Sequence, residues 1–105
     1  MDGKIDIFAK LGERLRRFGE DAQSQRVLAE AIAENEWFTA EDIHRAIDAI
    51  CEEFLDREKL TAWVAQYAIS AEVRSVAIIM AGNIPLVGFF DMMCAVICGY
   101  ETYVK

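Results

Sequence analysis

Proline occurs once, at Pro85, and glycine only 6 times in 105 residues. That scarcity excludes collagen-like and low-complexity classes. Histidine also occurs once, at His44, and cysteine three times, at Cys51, Cys94 and Cys98. An odd cysteine count with no Cys-x-x-Cys pair does not form a disulfide framework. A structural zinc needs four Cys or His ligands, and these four follow no zinc-site spacing. The three cysteines are therefore expected as buried, reduced thiols of a cytoplasmic protein. Basic residues are scarce as well: 11 against 18 acidic, a net charge of −7. A nucleic-acid module held by phosphate contacts carries a basic face, so no nucleic-acid partner is expected. The start, Met-Asp-Gly-Lys-Ile-Asp, is acidic and has no apolar run, so no signal peptide is expected.

Hydrophobic residues are plentiful, at 54%. The chain can bury a core, and its length allows one small domain. Charge is uneven along it. Residues 1–72 hold 16 acidic and 9 basic side chains, whereas residues 73–105 hold two of each. A solvated front, 1–72, thus precedes an apolar back, 73–105.

The front has helical periodicity. Phe8, Leu11, Leu15 and Phe18 recur on one face, and Gly19 is expected to end that helix. A second helix is expected over Asp21–Glu34, burying Val27, Leu28, Ala31 and Ile32. Thr39 is a candidate N-cap, with Asp42 at the third helical position and Phe38 and Ile43 as a hydrophobic staple. Ile43, Ala46, Ile47, Ile50 and Phe54 then form a third apolar stripe, and Glu41 can pair with Arg45. Asp56 is the next candidate cap, before a stripe of Leu60, Trp63, Val64 and Tyr67. Trp37, Trp63 and Tyr67 are expected in the core, and His44 facing solvent.

The period then changes. Arg74–Met80 is a continuous apolar run of strand length, suited to a strand covered on both faces. Ala81–Asn83 is a loop, and Pro85 suits the first turn of a helix. Leu86–Cys98 is nearly all apolar and is expected as a buried helix with Gly99 at its C-cap. Asp91 on that helix is expected to hydrogen-bond a neighbouring backbone amide. Glu101–Lys105 is β-prone again, so the back half is a strand–helix–strand unit. From Ser75 to Tyr100 the only charge is Asp91, a length that would also fit a bilayer crossing. The Ala81-Gly82-Asn83-Ile84-Pro85 interruption and the lack of flanking Lys/Arg clusters argue against a membrane span. Two parallel strands cannot cover their own faces and edges. The sequence is therefore expected to be the N-terminal part of something longer, or to assemble with another chain.

The stretch Val76–Lys105 resembles the start of the cofactor-binding region in LuxC-type acyl-CoA reductases, members of the aldehyde dehydrogenase superfamily. The matching pieces are the strand ending Ile78-Ile79-Met80, the Ala81-Gly82-Asn83-Ile84-Pro85 loop, the Gly88-Phe89-x-Asp91 helix start, and the closing Gly99-x-x-x-x-Val104-Lys105. Asn35-Glu36-Trp37-Phe38-Thr39 and Glu58-Lys59-Leu60 resemble the family's helical N-terminal segment. The resemblance covers most of the chain and is densest from Arg74 onward.

It implies an α/β fold, in which a helical N-terminal segment precedes the first strand–helix–strand of a Rossmann-like parallel sheet, truncated here. It implies reduction of a fatty acyl-CoA thioester to aldehyde with NADPH through a cysteine acyl-enzyme, and a homo-oligomer. Asn83 would supply an oxyanion-hole amide, Lys105 a contact to the cofactor ribose, and Met80, Ala81 and Gly82 the strand end that the cofactor approaches. Two departures stand out. Phe90-Asp91 replaces the family's His-Asp, and none of the three cysteines aligns with the family's nucleophile, which lies downstream of Lys105. Read without the resemblance, Asn83 is a turn residue that tolerates left-handed φ and Lys105 a solvated lysine. The chain is then a non-enzymatic acidic helical module that binds a partner protein. A small membrane-anchored protein is the third reading.

Overall fold

The computed structural model describes residues 2–69, 72, 74–82 and 84–105. The described residues form five α-helices and two β-strands. They are α1 (Asp2–Leu15), α2 (Ala22–Glu34), α3 (Ala40–Glu53), α4 (Arg57–Val64), β1 (Ser75–Ile78), α5 (Phe89–Ile97) and β2 (Glu101–Val104). The chain is thus α/β, with a helical front and a small parallel sheet behind it.

Local chemistry explains most helix boundaries. Asp21, Thr39 and Asp56 all have extended backbone, and each side chain accepts a hydrogen bond from the N–H three residues on, at Ser24, Asp42 and Lys59. Each cap satisfies an N–H that the helix leaves unpaired, worth about 1 kcal/mol. Glu41 and Arg45 pair at 3.4 Å across one turn of α3, both exposed, so the pair contributes little. α1 ends earlier than its apolar spacing suggests. Phe18 lies in a turn after Leu15, and Gly19 takes φ +94° to redirect the chain.

The core lies among α1, α3, α4 and α5. Ile47, Cys51, Leu55, Leu60, Met93 and Ile97 are its most buried residues. α2 is different. It has no fully buried residue, and Val27 is 50% exposed, contrary to its expected burial. Leu28, Ala31 and Ile32 are half-buried against the core, so the helix rests on α3 by one edge only. Two aromatic residues expected inside are outside: Trp37 is 74% exposed and Tyr67 61%, although Tyr67 still meets the Trp63 ring edge-on. Trp37 sits in the short turn between α2 and α3, where none of the described elements lies over it. His44, expected in solvent, is half-buried with its ring against Phe18.

β1 and β2 pair in parallel, Ser75 with Glu101 through Ile78 with Val104. β1 is shorter than Arg74–Met80, and only its alternate residues Val76 and Ile78 are half-buried. Among the described residues only α5 covers the sheet, on one face, so the cover expected on the other face is not present here. Ala77 and Ile79 point to the open side, with Ile79 84% exposed.

α5 also starts later than expected, at Phe89 rather than near Leu86. Pro85–Gly88 form a turn in which Leu86 adopts φ +57°. A left-handed leucine costs about 1–2 kcal/mol and cannot continue a right-handed helix. Asp91 is exposed in the first turn of α5, not buried. There its negative charge complements the positive end of the helix dipole. The far end of α5 follows the sequence closely. Gly99 takes φ +80°, its N–H donates to the Val96 carbonyl at 3.0 Å, and Tyr100 N–H donates to Ala95 at 3.1 Å. This is the Schellman arrangement.

Candidate functional site

Two parallel strands joined through a helix must end side by side. Here the carboxyl ends of β1 and β2 meet at Met80 and Lys105. Lys105 N–H donates to the Ile78 carbonyl at 2.9 Å, and Met80 N–H donates to the Lys105 carbonyl at 2.7 Å. The ladder therefore runs one step past each strand and fixes both ends relative to each other. In open parallel sheets, ligands bind outside such carboxyl ends.

The loop that follows β1 is held from two directions. Gly82 presents its carbonyl to the side-chain amide of Asn35, the residue that caps the C-terminus of α2. The same Asn35 accepts a hydrogen bond from Trp37 N–H at 3.0 Å through its side-chain oxygen. One amide thus ties the end of α2 to the strand-end loop. Met80 is half-buried, and its side chain lies directly over Gly88, where any Cβ would collide with it. Gly88 is therefore needed for close approach rather than for a special backbone angle. The tether is not legible from spacing, because Asn35 and Gly82 lie 47 residues apart.

Of the five sequence-derived site residues, the structure brings Met80 and Lys105 together through their backbones and places Ala81 and Gly82, both exposed, beside them. The Lys105 side chain is exposed. Asn83 lies outside the described residues.

An apolar cavity of about 340 Å³ opens next to this loop. Its walls come from α1, α2 and α3, including Leu15, Leu28, Phe38 and Ile47, and its near side from Pro85 and Leu86 of the strand-end turn. Among the described residues, no charged or hydrogen-bonding side chain lines it. A second cavity of about 350 Å³ lies between α4 and α5, bounded by Trp63, Tyr67, Cys94 and Cys98.

The cysteines are free. Cys51 is buried, whereas Cys94 and Cys98 are only half-buried, less than expected. Burial pushes the thiols of Cys51 and Cys94 up from their ordinary value, opposite to what a nucleophile needs. Among the described residues no cluster of three or more His, Cys, Asp or Glu side chains is placed to hold a metal ion. Among them, too, no helix is long and apolar enough to cross a membrane.

Comparison with family models, curated proteins and solved structures finds no match to this chain.

Proposed function

We propose that these residues form the opening part of a cytoplasmic acyl-CoA reductase, with β1–α5–β2 as the first unit of a Rossmann-like NADPH-binding sheet. The observation that carries the reading is the parallel β1–β2 pair, whose carboxyl ends sit side by side at Met80 and Lys105. In this reading the small-residue loop Ala81–Gly82 leaves room for the cofactor to approach the strand end. Lys105 contacts the cofactor ribose. Asn83 donates its amide to the oxygen of the thioester carbonyl as negative charge develops there.

The acyl part of the substrate draws support from the apolar cavity beside the same loop. An apolar cavity of about 150 Å³ accepts benzene. One of about 340 Å³ has room for an alkyl chain. The nucleophile is assigned outside these 105 residues, since burial raises the Cys51 and Cys94 thiols and no cysteine here matches the family position. In the reductase that contains these residues, that cysteine takes the acyl group and CoA leaves as the thiol. NADPH, which Lys105 and the Ala81–Gly82 loop would help to hold, would supply the hydride that converts the acyl group to aldehyde and frees the cysteine thiol.

The test uses the polypeptide as its native gene produces it. NADPH oxidation with a fatty acyl-CoA is measured for wild type and Asn83→Ala. The expected result is acyl-CoA-dependent oxidation that falls roughly 10²–10³-fold in the variant, the cost of one oxyanion donor. No oxidation by the wild-type product would sink the reductase reading. Equal rates would remove Asn83 from the mechanism.

The open side of the sheet favours the second reading, a protein-interaction module. Ile79 and Tyr103 are 84% and 57% exposed on it. A free face of this kind suits a partner chain.

A further inference from the structure

We infer that β2 is a homodimerisation edge, pairing antiparallel with β2 of a second copy about a two-fold axis at Tyr103. This rests on the second reading, a protein-interaction module, because the reductase reading gives the Lys105 side chain to the cofactor.

The first observation is which backbone groups are free. Glu101 N–H donates to Arg74, and Lys105 uses both its N–H and its carbonyl on β1. In a parallel ladder the direction alternates along the strand. Thr102 and Val104 therefore aim their N–H and carbonyl groups away from β1. Among the described residues no third strand lies beside them, and Val104 is 46% exposed, so α5 does not cover this edge.

The second observation is the order of side chains along that edge. β2 and its extension read Glu101-Thr102-Tyr103-Val104-Lys105. Acid and base sit symmetrically about Tyr103. Turned over on a second copy, Tyr103 faces Tyr103 of the partner subunit, and Glu101 faces Lys105 of the partner subunit, twice. Thr102 and Val104 then exchange backbone hydrogen bonds with Val104 of the partner subunit and Thr102 of the partner subunit. The parity is right: residues with outward backbone groups meet each other, and the charged pairs fall at the positions where side chains come closest.

All three facing side chains lie on the open face. Glu101 accepts hydrogen bonds there from Ser75 Oγ, at 3.3 Å, and from the Tyr103 hydroxyl. The free edge of β1 has no such symmetry, because Ser75–Ile79 contains no charge. The product is a four-stranded sheet that closes as a dimer rather than extending into a filament. It also removes an exposed edge that would otherwise template aggregation.

The experiment is sedimentation velocity over a concentration series, with far-UV circular dichroism on every variant. The chain is expected to dimerise. Glu101→Lys and Lys105→Glu should each raise the dimer Kd by roughly tenfold, since either change replaces two attractive pairs with two repulsive ones. The double variant, Glu101→Lys with Lys105→Glu, restores the pairs in swapped order and should return the Kd to near the wild-type value. Where a charge variant misfolds, Tyr103→Cys decides. It should form a covalent dimer through position 103 on mild oxidation, mapped by mass spectrometry, because opposed Cβ atoms there lie within about 5 Å. A wild-type monomer at all concentrations, a double variant no tighter than the singles, or a Tyr103→Cys protein that stays uncrosslinked overturns the inference. NADPH oxidation is assayed separately, so failure of the dimer and failure of the reductase reading are told apart.

Discussion

Gly12 of α1 lies so close to Leu55 that a Cβ on the glycine would stand 2.8 Å from the leucine Cβ and 3.0 Å from its carbonyl oxygen. The turn after α3 is thereby seated directly on α1. Leu55 is 1% exposed, among the most completely buried side chains. The same approach brings the Cys51 thiol to 3.8 Å from the Gly12 carbonyl and Arg16 to 3.4 Å from the Cys51 carbonyl.

Gly12→Ala therefore sets two effects against each other. Helix propensity favours alanine by up to about 1 kcal/mol. Overpacking a tight contact costs about 1–3 kcal/mol. Because the obstructing atoms include the Leu55 backbone, the neighbour cannot rotate away, and overpacking should win. The expected outcome is a loss of about 1 kcal/mol in urea denaturation. A more stable variant would mean that α1 slides freely on α3.

Gly99→Ala acts through the backbone instead. The residue takes φ +80° in the turn that leads from α5 into β2. Among the described residues the only near neighbour of an added Cβ is the far end of the Lys4 side chain, at 3.0 Å, so crowding contributes little. The left-handed conformation itself should cost about 1–2 kcal/mol. Gly99→Asn should recover part of that loss, because asparagine tolerates this region better. Denaturation curves of the two variants make the comparison.

Acid should loosen α4 from α1. The Arg57 guanidinium, 2.6 Å from Asp6, holds that carboxyl below its ordinary value of 3.8, and Lys10 adds to the effect. A carboxyl lowered in the fold stabilises it fully above its unfolded pKa, and the contribution is lost as pH falls through the folded value. Asp6→Asn should thus leave a constant gap in melting temperature between pH 5 and 7. The gap should close below pH 3.8, and also in 1 M salt, which screens exposed pairs. A gap that persists at pH 2 would assign the loss to packing instead.

Thiol reactivity reports on the core. Burial raises the Cys51 thiol above its ordinary value of 9.0. A raised group favours the fold at pH below its unfolded pKa, and that contribution fades as pH climbs through the folded value. At pH 8 Cys51, 2% exposed, should be alkylated only as fast as the domain opens. Half-buried Cys94 and Cys98 should react sooner. Peptide mapping after timed iodoacetamide treatment separates the three. Labelling of Cys51 at the rate of denatured protein would contradict the packing at Gly12.

Local chemistry was largely legible in the sequence. Asp21, Thr39 and Asp56 cap their helices as their positions suggest, and Gly99 ends α5. These features depend on a side chain and the N–H or carbonyl groups within a few residues of it. The strand–helix–strand order of the back half was legible for the same reason. Of the candidate site, the meeting of Met80 and Lys105 followed from that order. The tether from Asn35 to Gly82 did not, since nothing in local spacing links two residues so far apart.

Cover was decided by tertiary structure alone. Periodicity groups Val27 with Leu28 and Ala31, and it marks Ala77 and Ile79 as apolar, but it does not say what lies across from them. Val27 is exposed because α2 meets the core by one edge, and Ile79 because α5 occupies only the other face of the sheet. Leu86 shows the same division. Its residue type favours a helix, yet the turn that seats Gly88 beneath Met80 holds it left-handed. Which segments are helix and strand, and where most of them stop, is settled by neighbours along the chain and could be read from residue order. Which apolar faces are covered and which backbone angles are imposed depends on what distant parts of the chain bring against them, and only packing sets that.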